Sequence, residues 1–147
     1  MRDGHQVAIA LRRAYLTMHR QAEAALSRFD LTANQFVLLG LLDERDGVSQ
    51  RDLVDRASSD PNTIRPVLKS LERKGLIRRE LDPNDGRAWL VENTSKGRQT
   101  YKRVRNATED FRIQLISELD DHECDLLLRA LNKVATVMSE GVAKAID

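Results

Sequence analysis

The sequence predicts a mainly α-helical fold that carries one small β-hairpin. Two observations predict it. Apolar residues recur at steps of three and four along both ends of the chain, the period of an amphipathic helix. Near the middle, the hexapeptide Asp82-Pro83-Asn84-Asp85-Gly86-Arg87 concentrates turn-forming residues between two runs of strand length, 76–81 and 88–92. The expected order is α-α-(short β)-α-α-β-β-α-α.

Each element has a local cause. Val7, Leu11, Tyr15, Met18, Ala22, Ala25, Leu26 and Phe29 form one stripe, so the first helix runs from about 7 to 29. Thr32 and Gln35 make a capping box that opens a second helix, "ANQFVLLGLLDE", apolar on most sides and therefore central. Gly47 breaks the chain, Val48 pairs briefly with the hairpin, and Ser49 caps a short third helix to about Arg56. Asp60 as cap and Pro61 at the first position open the fourth helix, which stops at Lys74-Gly75. From that start Pro66 lies in the second turn, where it removes a bond to the Asn62 carbonyl at a cost of up to ~3 kcal/mol. Thr63 as cap would place Pro66 in the first turn at no cost. The earlier start, with a bend there, is the preferred reading. After the hairpin, Thr94 or Ser95 caps a helix striped by Tyr101, Val104, Thr108, Phe111, Leu115 and Leu119. "DDHE" caps the last one, striped by Leu127, Leu131, Val134, Met138 and Val142.

A chain of 147 residues, 41% hydrophobic and 32% charged, suits one folded domain with helical extensions and excludes a disordered one. No apolar run reaches the ~18–20 residues of a membrane span, the start lacks the layout of a secretory signal, and a cytoplasmic protein is expected. One cysteine, Cys124, excludes an internal disulfide. The net charge of +1 conceals an uneven spread. Residues 62–105 hold twelve Lys/Arg and five acids, a net of +7, between segments of −1 and −5. A basic centre between neutral and acidic arms points to one anionic partner met by the middle of the chain.

Two short helices, about 49–56 and 60–74, joined by a tight turn, have helix-turn-helix dimensions. In the second, Ile64, Val67, Leu68 and Leu71 share one side. Asn62, Pro66, Lys69 and Arg73 fall opposite, flanked by Arg65 and Ser70, with Thr63 at the start of the helix. Such groups meet base edges and phosphates in a major groove; Ser49 and Gln50, at the start of the preceding helix, are further candidates. A hairpin placed just behind this helix adjoins the neighbouring minor groove, where a cation at its tip would meet focused negative potential. Arg87 is that cation. Asp85 either holds the Arg87 guanidinium or caps the turn, and Arg78 and Arg79 on the rising strand add phosphate contacts. The hairpin is thus a wing, and the fold is a winged helix-turn-helix.

The segment "SQRDLVDRASSDPNTIRPVLKSLERKGLIRRELDPNDGRAWLVENTSKG" resembles the core of the MarR family of bacterial transcriptional regulators. The "LERKGLIRR" exit, the Asp85-Gly86-Arg87 wing and the "LVENTSKG" run carry the resemblance. Trp89, Asn93 and Pro66 depart from the usual pattern. The resemblance implies a homodimer that straddles a pseudo-palindromic double-stranded operator. Residues 1–31 and 95–147 would be its helical dimerisation region, and 32–94 its DNA-binding domain. It also implies repression relieved by a small aromatic or anionic effector, with no cofactor. Tyr15, Met18, His19, Phe36 and Leu39 are the candidate pocket, with Arg12, Arg13 or Arg20 at its edge. The family's hydroperoxide sensors place a cysteine in the first helix, where this chain has none. Cys124 sits among Asp121, Glu123 and Asp125, which oppose a thiolate.

Two rivals make different demands. An enzyme would need a phosphate-binding glycine loop, a nucleophile elbow or paired carboxylates, and none stands in the sequence; His5, His19 and His122 have no metal-ligand spacing. A winged-helix adaptor for another protein would carry apolar or acidic residues where Asn62, Lys69 and Arg73 stand.

Overall fold

The structure, a computed structural model, describes residues 2–45 and 47–141. Local chemistry sets most boundaries. Asp3 accepts the His5 amide at 2.9 Å and opens α1, Gly4–Ser27. Asp30 turns the chain in the left-handed region, φ 55°, and the Thr32–Gln35 capping box starts α2, Ala33–Glu44. Val48–Ser49 form β1, and Ser49 caps α3, Gln50–Arg56. Asp60 caps α4, Pro61–Arg73, so the earlier of the two predicted starts holds and Pro66 lies inside the helix. The helix stops at Gly75, φ 73°, where the Gly75 and Leu76 amides donate back to Glu72 and Leu71.

The hairpin is longer than the sequence implied. Its strands are β2, Ile77–Asp82, and β3, Asp85–Asn93, in an antiparallel sheet of order β1-β3-β2. Val48 faces Val91 across β1 and β3. Only Pro83 and Asn84 make the turn, because the Asp82 carboxylate accepts the Asn84 amide at 2.8 Å and closes the chain within two residues.

Thr94 caps α5, Ser95–Ala107. The sequence predicted one long helix from here to about 119; the structure has a break at Thr108, followed by α6, Glu109–Ile116. At the break the buried Thr108 hydroxyl donates to the Val104 carbonyl at 2.8 Å, beside the Thr108 amide, which donates to the same oxygen at 3.0 Å. Asp120 and Glu123 form the capping box of α7, Asp121–Ser139. Val142, the last residue of the predicted stripe, lies outside the described residues.

The chain divides into two compact units, with the boundary after Glu109. In the first, α2 is the central element: Leu38, Leu39 and Leu42 are buried with Leu53 of α3, Leu68 and Leu71 of α4, Val91 of β3, Leu26 of α1 and Val104 of α5. Each fully buried leucine contributes about 1.5–3 kcal/mol. Asn93 is buried; its Nδ2 donates to the Leu39 carbonyl at 3.2 Å, while its Oδ1 has no hydrogen-bond partner among the described residues. In the second unit, α6 and α7 leave Ile113, Leu115, Leu126, Leu127, Leu131 and Val134 exposed. Among the described residues no helix is long and apolar enough to cross a membrane.

Candidate nucleic-acid interface

The outer face of α4 is where the chemistry collects. Ile64, Leu68 and Leu71 are buried, so Asn62, Arg65, Pro66, Lys69 and Arg73 are turned outward and exposed. Among the described residues none of the three cations is paired with a carboxylate. The face therefore presents bare positive charge and one carboxamide, in the geometry of a helix that enters a groove. The start of that helix is fixed by Asp60. Its carboxylate takes the Thr63 hydroxyl at 2.8 Å and the Thr63 amide at 3.0 Å. These two bonds, the hydroxyl first, hold the Asp60 carboxyl below its ordinary range. A depressed carboxyl pKa means the cap contributes above the unfolded value and is lost as pH falls through the lowered one, so it is intact at neutral pH.

Several predicted contacts take other roles. The Thr63 hydroxyl proton is committed to Asp60, which makes Thr63 a capping residue before it is a DNA contact. Ser49 Oγ accepts the Asp52 amide at 3.0 Å, leaving its own proton to offer outward. Gln50 Oε1 accepts from Arg79 at 3.4 Å. Arg79 is turned into the protein: it pairs with Glu72 at 3.1 Å and lies over the Trp89 ring, 5.7 Å from its centroid. Arg78 faces Glu92 in the sheet register and is paired with it. Neither arginine is bare: strand register sets Glu92 beside Arg78, and the packing of α4 on β2 sets Glu72 beside Arg79.

Arg87 is corrected in position. It is not at the tip but on β3, three residues past Asn84. The ladder steps from Leu81↔Trp89 to Asp82↔Asp85, so residues 86–88 bulge out without partners on β2. Asp85 accepts the Arg87 backbone amide at 3.1 Å. Of the two roles read for it, Asp85 thus shapes the turn, and the exposed guanidinium of Arg87 has no partner among the described residues.

The candidate effector residues have different surroundings. Leu39 is wholly buried in the core, as the central helix requires. Phe36 packs on Tyr101, with centroids 5.1 Å apart, and Tyr15 stacks on His19 at 5.5 Å, with Met18 half-buried nearby on the same helix. An open groove of about 340 Å³ lies against α5, lined by Asp43, Arg98, Gln99, Tyr101, Lys102 and Arg105. The basic run "RQTYKRVR" was its visible signal. Cys124 is half-buried. Among the described residues no cluster of His, Cys, Asp and Glu could hold a metal.

Comparison with known proteins agrees with this layout. A family model described as the MarR family matches residues 31–89. The chain is similar to the HTH-type transcriptional regulator YdgJ of Bacillus subtilis, with 30% identity over 71% of this chain and 63% of that one. It is 27% identical to an HTH-type transcriptional repressor of Mycobacterium tuberculosis, over 91% of this chain and 96% of the relative. Among solved structures, the Staphylococcus aureus MepR–DNA complex superposes with a TM-score of 0.80 at 26% identity, covering 89% of this chain and 97% of that one.

Proposed function

The chain belongs to the MarR family, and from that premise we propose that it is a dimeric, sequence-specific DNA-binding transcriptional repressor of the cytoplasm. The observation that carries the reading is the outer face of α4, with Asn62 beside the cations Arg65, Lys69 and Arg73, which no carboxylate pairs among the described residues. In this reading α4 enters the major groove and Arg87 the minor groove. The exposed apolar side chains of α1, α6 and α7 are the support for a second copy. Residues 1–31 and 95–147 are then the dimerisation region, and two wings meet half-sites about one helical turn, roughly 34 Å, apart.

Selecting bound fragments from sheared genomic DNA tests this. The expected result is one near-palindromic consensus, held by two protomers per duplex in sedimentation. A stable monomer at micromolar concentration, or a fragment pool without a consensus, would remove the reading. Lys69→Ala is expected to reduce the slope of log affinity against log salt by about one, the effect of one lost phosphate contact. Fluorescence anisotropy on the selected duplex across a salt series measures it.

Release by a small aromatic or anionic ligand completes the proposal. Such a ligand frees DNA only by preferring the unbound spacing of the wings. A tenfold weakening needs about 1.4 kcal/mol of preference, and operator DNA must weaken ligand binding by the same factor.

A further inference from the structure

A reading helix is aimed by its rotation about its own axis. The buried side of α4 is held by apolar contact, which has no direction. Its directional contacts lie on the two flanks. At 100° per residue, Ser70 and Lys74 fall on one side of the outward face and Glu72 on the other.

On the first flank stands Gln35, a buried residue in the first turn of α2. Its Nε2 donates to Ser70 Oγ at 2.9 Å, and its Oε1 accepts from Lys74 Nζ at 3.2 Å and from the Thr32 amide at 3.1 Å. Lys74 also donates to the Asp30 carbonyl, at the corner between α1 and α2. On the second flank Arg79 of β2 grips Glu72 through Nε at 3.3 Å and Nη2 at 3.1 Å, while Gln50 and Trp89 steady the guanidinium. The first turn of α2 is tied to α1 as well, since Glu23 Oε1 accepts the Ala33 amide at 2.7 Å. A chain of hydrogen bonds thus runs from α1 through the first turn of α2 and Gln35 to α4.

We propose that Gln35 and Arg79 are the two jaws of a clamp that sets the rotation of α4. They are positioning residues that determine sequence specificity without touching DNA. The inference rests on the DNA-binding reading above. Burial supports it: Gln35 is 6% exposed and the Arg79 side chain 17%, so neither is placed to meet a duplex.

The test compares the full chain and its variants on a duplex selected by the wild type and on a scrambled duplex of equal length, across a salt series. Gln35→Met, Ser70→Ala and Arg79→Met are each expected to lower the ratio of specific to non-specific affinity by about five- to tenfold, with the salt slope unchanged. Gln35→Glu is expected to keep the ratio within about twofold, because a carboxylate still accepts from Thr32 and Lys74 and can take the Ser70 hydroxyl proton. Ser70→Ala breaks the same link while leaving the α2 cap whole, so it decides the matter if Gln35→Met does not fold. A wild type that fails to distinguish the two duplexes removes the DNA reading, and the clamp with it. A wild type that distinguishes them, with variants that keep its ratio, overturns the clamp alone. So does an Arg79→Met chain that loses about one in salt slope, the mark of a direct phosphate contact, or a Gln35→Glu chain that loses as much as Gln35→Met.

Discussion

Gly97→Ala is expected to destabilise the first compact unit by about 3–5 kcal/mol, a large share of the roughly 5–15 kcal/mol that holds a domain folded. A β-carbon at this position would sit 2.0 Å from the Leu76 carbonyl oxygen and 3.0 Å from its carbon. Both are backbone atoms. The Leu76 carbonyl cannot swing aside without breaking its bond to the Thr94 amide at 3.1 Å. Its neighbours are held by the same helix start: Thr94 Oγ1 donates to the Gly75 carbonyl at 2.7 Å, and Lys96 Nζ to the Lys74 carbonyl at 2.9 Å. The first turn of α5 thus satisfies the carbonyls that α4 leaves open at its end. Helix propensity pulls the other way, favouring alanine by about 1 kcal/mol, and the clash outweighs it. Gly4→Ala is the control, since nothing lies within 4 Å of its added carbon. Urea or thermal melts read both. A Gly97→Ala chain that melts with the wild type would mean that α5 does not approach Leu76 this closely.

Gly97 also shows where sequence reading stops. The glycine was visible as part of "LVENTSKG", but its reason was not. The atom it makes room for is twenty-one positions away in sequence. Signals confined to one turn were legible: Thr32 with Gln35, Asp60 with Pro61 and Asp120 with Glu123 each start a helix through side chains three residues apart or fewer. The break at Thr108 leaves no mark in the sequence because the apolar stripe runs unbroken through it. The cations were the hardest to sort. Arg78, Arg79 and Arg87 look alike in sequence, and only register and packing reveal that two of them are engaged by Glu92 and Glu72. At Leu39 the apolar character of α2 argues for core against pocket, and the core is where it lies.

Arg87 is the arginine of the wing that keeps its charge for something outside, and Arg87→Ala is expected to cost about 1–3 kcal/mol of operator affinity, a factor of roughly 5 to 150. Its side chain is exposed and bulged from the ladder, and no carboxylate neutralises it among the described residues. Removing it opens no cavity and leaves no buried partner unsatisfied, so folding and assembly are expected to be unchanged. The loss has two parts. One is charge, which any cation near the backbone would share and which salt screens. The other is the fit of a flat guanidinium in a narrow minor groove, which lysine cannot supply. Arg87→Lys is therefore expected to fall between wild type and alanine while keeping the wild-type salt slope. Arg78→Ala provides the contrast: it breaks a cross-strand pair worth about 0.2–1 kcal/mol to the sheet, and it removes a cation already balanced by Glu92. Anisotropy titrations of the four chains at matched salt separate these cases. Equal affinity and equal slope for Arg87→Lys and wild type would reduce Arg87 to a phosphate contact, and an Arg87→Ala chain that binds like wild type would take the wing out of the interface altogether.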